Sequence, residues 1–155
     1  MNKFIVKQAE WDQQVKNTDN PNQQVYRPID NMEFSELIKD ITIKLNVAKK
    51  QNSILDAGCG NGLILSHLKE YFRQIYGIDY SLNMVLAAQK LIPNGIFIQA
   101  EASNFKFDDK QFDRVLAYSI FHYFASSEYA LKSIHEMIRV CKKGGIVLIG
   151  DILDH

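Results

Sequence analysis

Three glycines alternate in Asp56-Ala57-Gly58-Cys59-Gly60-Asn61-Gly62, directly after the apolar run Ser53-Ile54-Leu55 and before a helical stripe that begins at Leu63. A chain that leaves a strand, turns on glycines and enters a helix has few architectures open to it. Glycine alone takes a left-handed φ without steric cost and lets bare backbone come close to a neighbour.

The rest of the chain repeats the alternation. Short apolar runs predict strands at Ile75 to Ile78, ending at Asp79, at Ile96 to Ile98, at Phe112 to Ala117 and at Ile146 to Ile149. Helical spacing fills the gaps. Leu63 to Phe72 predicts one helix, and Ser81 caps another that carries Met84, Val85, Ala88 and Leu91 and stops at Pro93-Asn94-Gly95. Ser126 or Ser127 opens a third, with Leu131, Ile134, Met137 and Ile138 on one face. Lys142-Lys143 and Gly144 read as its end, cations at the negative pole of the helix followed by a left-handed cap. Upstream, Asp30 and Glu33 have the form of a capping box before the stripe Phe34, Leu37, Ile38, Ile41, Leu45, a helix ending near Val47. Residues 12 to 24, dominated by Asn and Gln, predict a loop or mobile arm. The expectation is an α/β fold, a doubly wound and mostly parallel Rossmann-like sheet with helices on both faces. Residues 1–32 form a flexible arm or lid, and 33–155 the ligand-binding domain.

Composition excludes several classes. Lys plus Arg and Asp plus Glu both total 18, without the clustered basic face that nucleic acid needs. Cys59 and Cys141 are far apart and form no CxxC, which argues for a reducing compartment and against a zinc site. No apolar run approaches membrane-spanning length, and the N-terminus is too short and charged for a signal peptide. A cytoplasmic protein with neither nucleic acid nor membrane as partner, and no metal, is the expectation.

In doubly wound sheets the ligand lies beyond the carboxyl ends of the strands, where strand order reverses. The glycine run occupies that place. Asp79 ends the second strand 21 positions after Gly58, where a carboxylate accepts both hydroxyls of a ribose. The order GxGxG differs from the dinucleotide pattern GxGxxG, and an acid stands two residues before the first glycine. This motif resembles that of the class I S-adenosylmethionine-dependent methyltransferases, D/ExGxGxG. The resemblance runs on through Gly77-Ile78-Asp79-Tyr80-Ser81, Ala100-Glu101-Ala102, Phe112-Asp113-Arg114-Val115 and the turn Arg139-Val140-Cys141-Lys142-Lys143-Gly144-Gly145. It covers residues 33 to 155.

The resemblance implies S-adenosylmethionine as cofactor and a role for each matching residue. Asp56 orients the amino end of the methionine moiety, and the backbone of Gly58, Cys59, Gly60 and Gly62 passes the methionine and ribose. Asp79 accepts the ribose hydroxyls and Tyr80 covers the adenine edge. Glu101 accepts the adenine amino group, with the backbone of Ala102 facing the ring. Tyr118 and Ser119 lie near the transferred methyl. His122 and Tyr123, after the fourth strand, face the acceptor and are the candidates for acceptor contact or proton removal. Trp11 and Tyr26 close over the site from the arm. Cys59 reads as a small residue in a tight loop, not a nucleophile.

The chemistry asks for positioning, because the sulfonium carbon is already activated for in-line displacement. The Asn/Asp-Pro-Pro-Tyr/Phe motif of enzymes that methylate amino groups of bases and glutamine is replaced by Tyr118-Ser119-Ile120-Phe121. That moves the expected acceptor to a small molecule, as in the type 11-like branch. The family's C-terminal hairpin after strand five is lacking in this sequence. That leaves three expectations: a truncated form, a homodimer or partner at the strand-five edge, or Ile152 and Leu153 folded back over it. A non-catalytic cofactor-binding remnant is the alternative function.

Overall fold

The computed structural model describes residues 3–25 and 31–152. Three helices come first, α1 (Lys3–Lys16), α2 (Pro21–Gln24) and α3 (Asn31–Lys44). The α/β part follows as β1 (Gln51–Ala57), α4 (Leu63–Leu68), β2 (Phe72–Asp79), α5 (Leu82–Leu91), β3 (Ile96–Gln99), β4 (Phe112–Tyr118), α6 (Ser127–Val140) and β5 (Cys141–Gly150). The strands form one sheet in the order β3-β2-β1-β4-β5, with every pairing parallel.

Both faces of this sheet are covered, so its central strand is apolar on both sides. In β1, Ile54 packs with Ile41, Leu45, Leu65, Leu68 and Ala88 of the helices on one face. Its neighbour Leu55 packs with Met137 and Val140 of α6 on the other. Alternation within a strand therefore sorts residues between two cores, which a parallel sheet sandwiched by helices requires. The strand order reverses between β1 and β4, and that divergence opens the crevice where such folds bind ligands.

Several ends are fixed by capping. Ser81 accepts from Met84 N at 3.2 Å to start α5, and Ser126 accepts from Tyr129 N at 3.1 Å to start α6. Arg114 on β4 is buried and donates to Leu45 O and, at 3.3 Å, to Asn46 O. It satisfies carbonyls left over at the end of α3 and so stitches that helix to the sheet.

The structure corrects three expectations. Residues 12 to 24 are not a loop: α1 continues to Lys16, and Asn20 caps α2 by accepting from Asn22 N at 3.0 Å, with Pro21 pre-set for the first turn. The helix expected to reach Phe72 stops at Leu68 and passes through a 3-10 turn, Lys69–Tyr71. Phe72 opens β2 with its side chain in the core. Gly144 does have a left-handed φ of 80°, but α6 ends four residues earlier, at Val140. Gly144 serves instead the register shift of β5 against β4 between Phe112 and Arg114. Lys142 reaches Asp113 at 3.1 Å rather than the end of the helix. The proposed Asp30 cap and Leu153 lie outside the described residues; Ile152 is exposed.

Candidate functional site

The backbone of the glycine loop is built against the end of β2. Gly58 N and Cys59 N both donate to Ile78 O, at 2.8 and 2.9 Å. Gly60 N donates to Asp79 Oδ2 at 2.9 Å, and Asp79 Oδ1 accepts from Ser81 N at 2.9 Å. One buried carboxylate thus braces the loop and the start of α5 together.

The three glycines have different neighbours. A Cβ on Gly58 would lie 2.5 Å from Ile120 Cγ2, and one on Gly62 would lie 3.1 Å from Ala88 Cβ on α5. At Gly60 the nearest atom is Val25 Cγ1 at 3.8 Å. Gly62 is therefore a packing residue between α4 and α5, and Gly60 is the one with room for a Cβ, at ordinary contact with Val25. Gly58 and Gly60 border a cavity of about 280 Å³.

The cavity collects most of the residues expected from sequence. Gly58, Cys59, Gly60, Asp79 and Tyr80 line it from the ends of β1 and β2. Ala102 does so from the loop after β3, and Tyr118, Ser119, His122 and Tyr123 from β4 and the turn after it. Ser119 holds a left-handed φ of 60° at the strand end, and its N–H donates to Gly150 O at 3.0 Å. Such a backbone is kept only where its surroundings over-determine it. Three expected residues stand apart from the wall. Asp56 is buried beneath the loop. Gly62 turns to Ala88. Glu101 is exposed and bridges to Asn104, so that its neighbours Ala100 and Ala102 face the cavity without it.

Burial sets the electrostatics. It pushes the Asp79 carboxyl up to about 6, against the lowering effect of the Ser81 and Gly60 N–H donors, and Asp12 nearby adds to the rise. The Asp56 carboxyl goes up to about 8, through burial first and the charge of Asp79 second. Its Oδ1 has no hydrogen-bond partner. An orphaned carboxyl oxygen under the loop fits a cationic ligand group, whose charge would favour the ionised form. The Cys59 thiol is raised well above its ordinary value by burial and by Asp79 and Asp56, so it is not poised as a thiolate. Among the described residues no group of three or more His, Cys, Asp or Glu is arranged to hold a metal ion. No helix there is long and apolar enough to cross a membrane.

Sequence reasoning placed Trp11 over this site but missed how the other residues of the N-terminal helices complete it. Trp11, Asn22 and Val25 supply a wall of the cavity. Trp11 meets Tyr123 edge-on at 5.6 Å between ring centroids. Asp12 accepts from Ser81 Oγ and, at 3.2 Å, from Asn83 N. Asn61, within the glycine motif itself, is buried and donates to Pro21 O at 2.7 Å. The polar composition of the arm hid its docking, since its burial is amide to amide rather than apolar. Tyr26 lies outside the described residues. His67 packs edge-on against Phe34 and lies outside the cavity wall.

A doubly wound parallel sheet, a glycine loop after its first strand, a buried acid ending the second and a cavity above the reversal of strand order together define a Rossmann-like, nucleoside-binding class of domain. Over residues 55–149 the chain matches the family described as Methyltransferase domain, and it belongs to that family. It is 31% identical over 123 residues to the 2-phytyl-1,4-naphtoquinone methyltransferase of Nostoc punctiforme, covering 73% of this chain and 52% of that protein. It is 30% identical over 100 residues to a tRNA (carboxymethyluridine(34)-5-O)-methyltransferase of Xenopus tropicalis, 64% of this chain and 15% of that protein. In fold it is similar to the phosphoethanolamine N-methyltransferase 1 of Haemonchus contortus, solved with phosphoethanolamine and S-adenosylhomocysteine. That match has a TM-score of 0.80 at 17% identity and covers 95% of this chain and 32% of the other. The chain spans about half or less of the length of these relatives.

Proposed function

We propose that this domain binds S-adenosylmethionine and transfers its methyl group to a small-molecule acceptor by in-line displacement. The observation that carries the reading is the pairing of Gly60, open to the cavity, with the buried Asp79 carboxylate 2.9 Å from its N–H. The residues present fit the cofactor. Asp79 accepts from the ribose hydroxyls, Asp56 orients the ammonium end through water from beneath the loop, and Tyr80 and Ala102 flank the adenine. When bound, the cofactor supplies an electrophilic methyl carbon. The chain's own part is to orient it, exclude water and align the acceptor.

Tyr118 and Ser119 border the reacting end in this reading, and His122 or Tyr123 contacts the acceptor or removes its proton. Glu101 is left with a looser role at the rim. A small acceptor is supported by the aromatic-rich wall and by the equal counts of acidic and basic residues. A tRNA acceptor is the competing possibility raised by the Xenopus relative, and transcripts belong in the acceptor screen. A second copy of the chain or a partner protein pairing with the edge of β5 completes the proposal, and light scattering measures it.

The test is calorimetric titration with S-adenosylhomocysteine. Micromolar binding by the wild type, weakened at least about tenfold in Asp79→Ala, is expected, since that variant loses the acceptor for the ribose and the brace on Gly60. A folded wild-type chain that ignores S-adenosylhomocysteine would remove the reading. A 14 Da gain in an acceptor then separates catalysis from a cofactor-binding remnant.

A further inference from the structure

The N-terminal arm ends in a buried knot of amides on the glycine loop. Gln24 is 8% exposed, and both ends of its carboxamide are committed. Nε2 donates to Thr18 O at 2.8 Å, beyond the end of α1, while Oε1 accepts from Asn61 Nδ2 at 2.9 Å. Asn61, 1% exposed, is equally committed. Its Nδ2 also donates to Pro21 O at 2.7 Å, and its Oδ1 accepts from Leu63 N at 3.2 Å, starting α4. A carboxamide has two N–H donors. Asn61 gives both to the arm and its acceptor to the helix.

The same arm is held at two other points, both beside the nucleoside end of the cavity. Asp12 caps the start of α5, and Gln8 Nε2 donates to Tyr80 O at 2.9 Å. With Trp11, Asn22 and Val25 in the wall, α1 and α2 form a cover whose attachments are to the loops that border the ligand. Buried amides left without partners cost more than their bonds contribute, so this knot is either fully made or fully open.

We infer that Gln24 is a positioning residue for the cofactor, acting through Asn61. It locks the 58–62 loop to the α1–α2 cover, so that the geometry of the loop and closure of the cover change together. The inference rests on the S-adenosylmethionine reading of the same cavity. It assigns a role to two amides that touch none of the reacting atoms.

Trp11 is the sole tryptophan and stands in the cover, so its emission reports closure. The wild type, Gln24→Ala and Asn61→Asp are titrated with S-adenosylhomocysteine by calorimetry and by Trp11 fluorescence, with circular dichroism and thermal melts beside them. Asn61→Asp keeps the acceptor for Leu63 N and loses the donors to the arm, and it carries the test if Gln24→Ala does not fold. Binding by the wild type with a change in Trp11 emission is expected. Each folded variant is expected to bind roughly tenfold more weakly, with the Trp11 response lost. Folded variants whose affinity and Trp11 response match the wild type, whatever their melting temperature, overturn the inference and leave the cofactor reading standing. Absence of calorimetric binding by the wild type overturns that reading and takes the inference with it.

Discussion

Gly60 and Gly62 have the same kind of backbone, with φ of 53° and 78°, and opposite surroundings. Alanine at 62 meets Ala88 backbone at 3.3 Å as well as its side chain, and neither can retreat far within α5. Gly62→Ala is expected to lower stability by on the order of 1–3 kcal/mol in denaturant melts. Gly60→Ala is expected to cost about 1 kcal/mol while its methyl enters the cavity, so calorimetry should show the larger loss in S-adenosylhomocysteine affinity there. Asp56 presents a different conflict. Its buried carboxyl resists ionisation and one oxygen is unpaired. Asp56→Asn is expected to stabilise the ligand-free chain at pH 8 by on the order of 2 kcal/mol while weakening binding of S-adenosylhomocysteine. A variant neither more stable nor weaker in binding would count against the ammonium role.

At the scale of elements, the strands and their connecting helices were legible because their signals are local and apolar. Ser81 and Ser126 cap the helices that their positions predicted. The misreadings lie where long-range contacts outweigh local pattern. Phe72 continues a helical stripe in sequence, yet pairing with Gln51 draws it into β2. Gln8, Asp12 and Gln24 carry no apolar periodicity at all. They dock through hydrogen bonds to residues 37 to 72 positions away, and single-sequence patterns do not register such partners. Asp12 illustrates what this attachment does, since it places a carboxylate on the Asn83 N–H at the start of α5. Asp12→Ala is expected to speed amide hydrogen exchange in α1 by roughly tenfold and to leave exchange in β1 and β4 unchanged. Equal protection of α1 in the variant would show that the helix is held by its other contacts.

Across the whole molecule, the buried acids Asp56 and Asp79 and the ion-paired surface acids act on stability in opposite directions. Asp79 and Asp56 titrate at about 6 and about 8 in the fold, above their ordinary value. Each therefore favours the folded state most at low pH, where it stays protonated, and that contribution is lost as pH rises through its folded value. Asp113, held down by Lys142 and Ser53 despite its partial burial, contributes above its ordinary range and is lost on acidification. Glu136, held down mainly by Arg139, does likewise. Thermal melts of the ligand-free chain are expected to peak at about pH 5 and to fall toward pH 8, with Asp56→Asn flattening the alkaline limb. A stability that climbs from pH 5 to 8 would refute the burial account of both acids. Taken alone, the sequence determined the strand-and-helix alternation, the glycine loop and the acid at the end of β2, because turn chemistry and apolar spacing are written in adjacent residues. Only the tertiary structure decided which glycines line the cavity, that Glu101 stands outside its wall, and that the arm docks through buried amides. Those outcomes depend on which surfaces meet across the sheet, and buried amides such as Gln24 and Asn61 disclose their partners only when the chain brings them together.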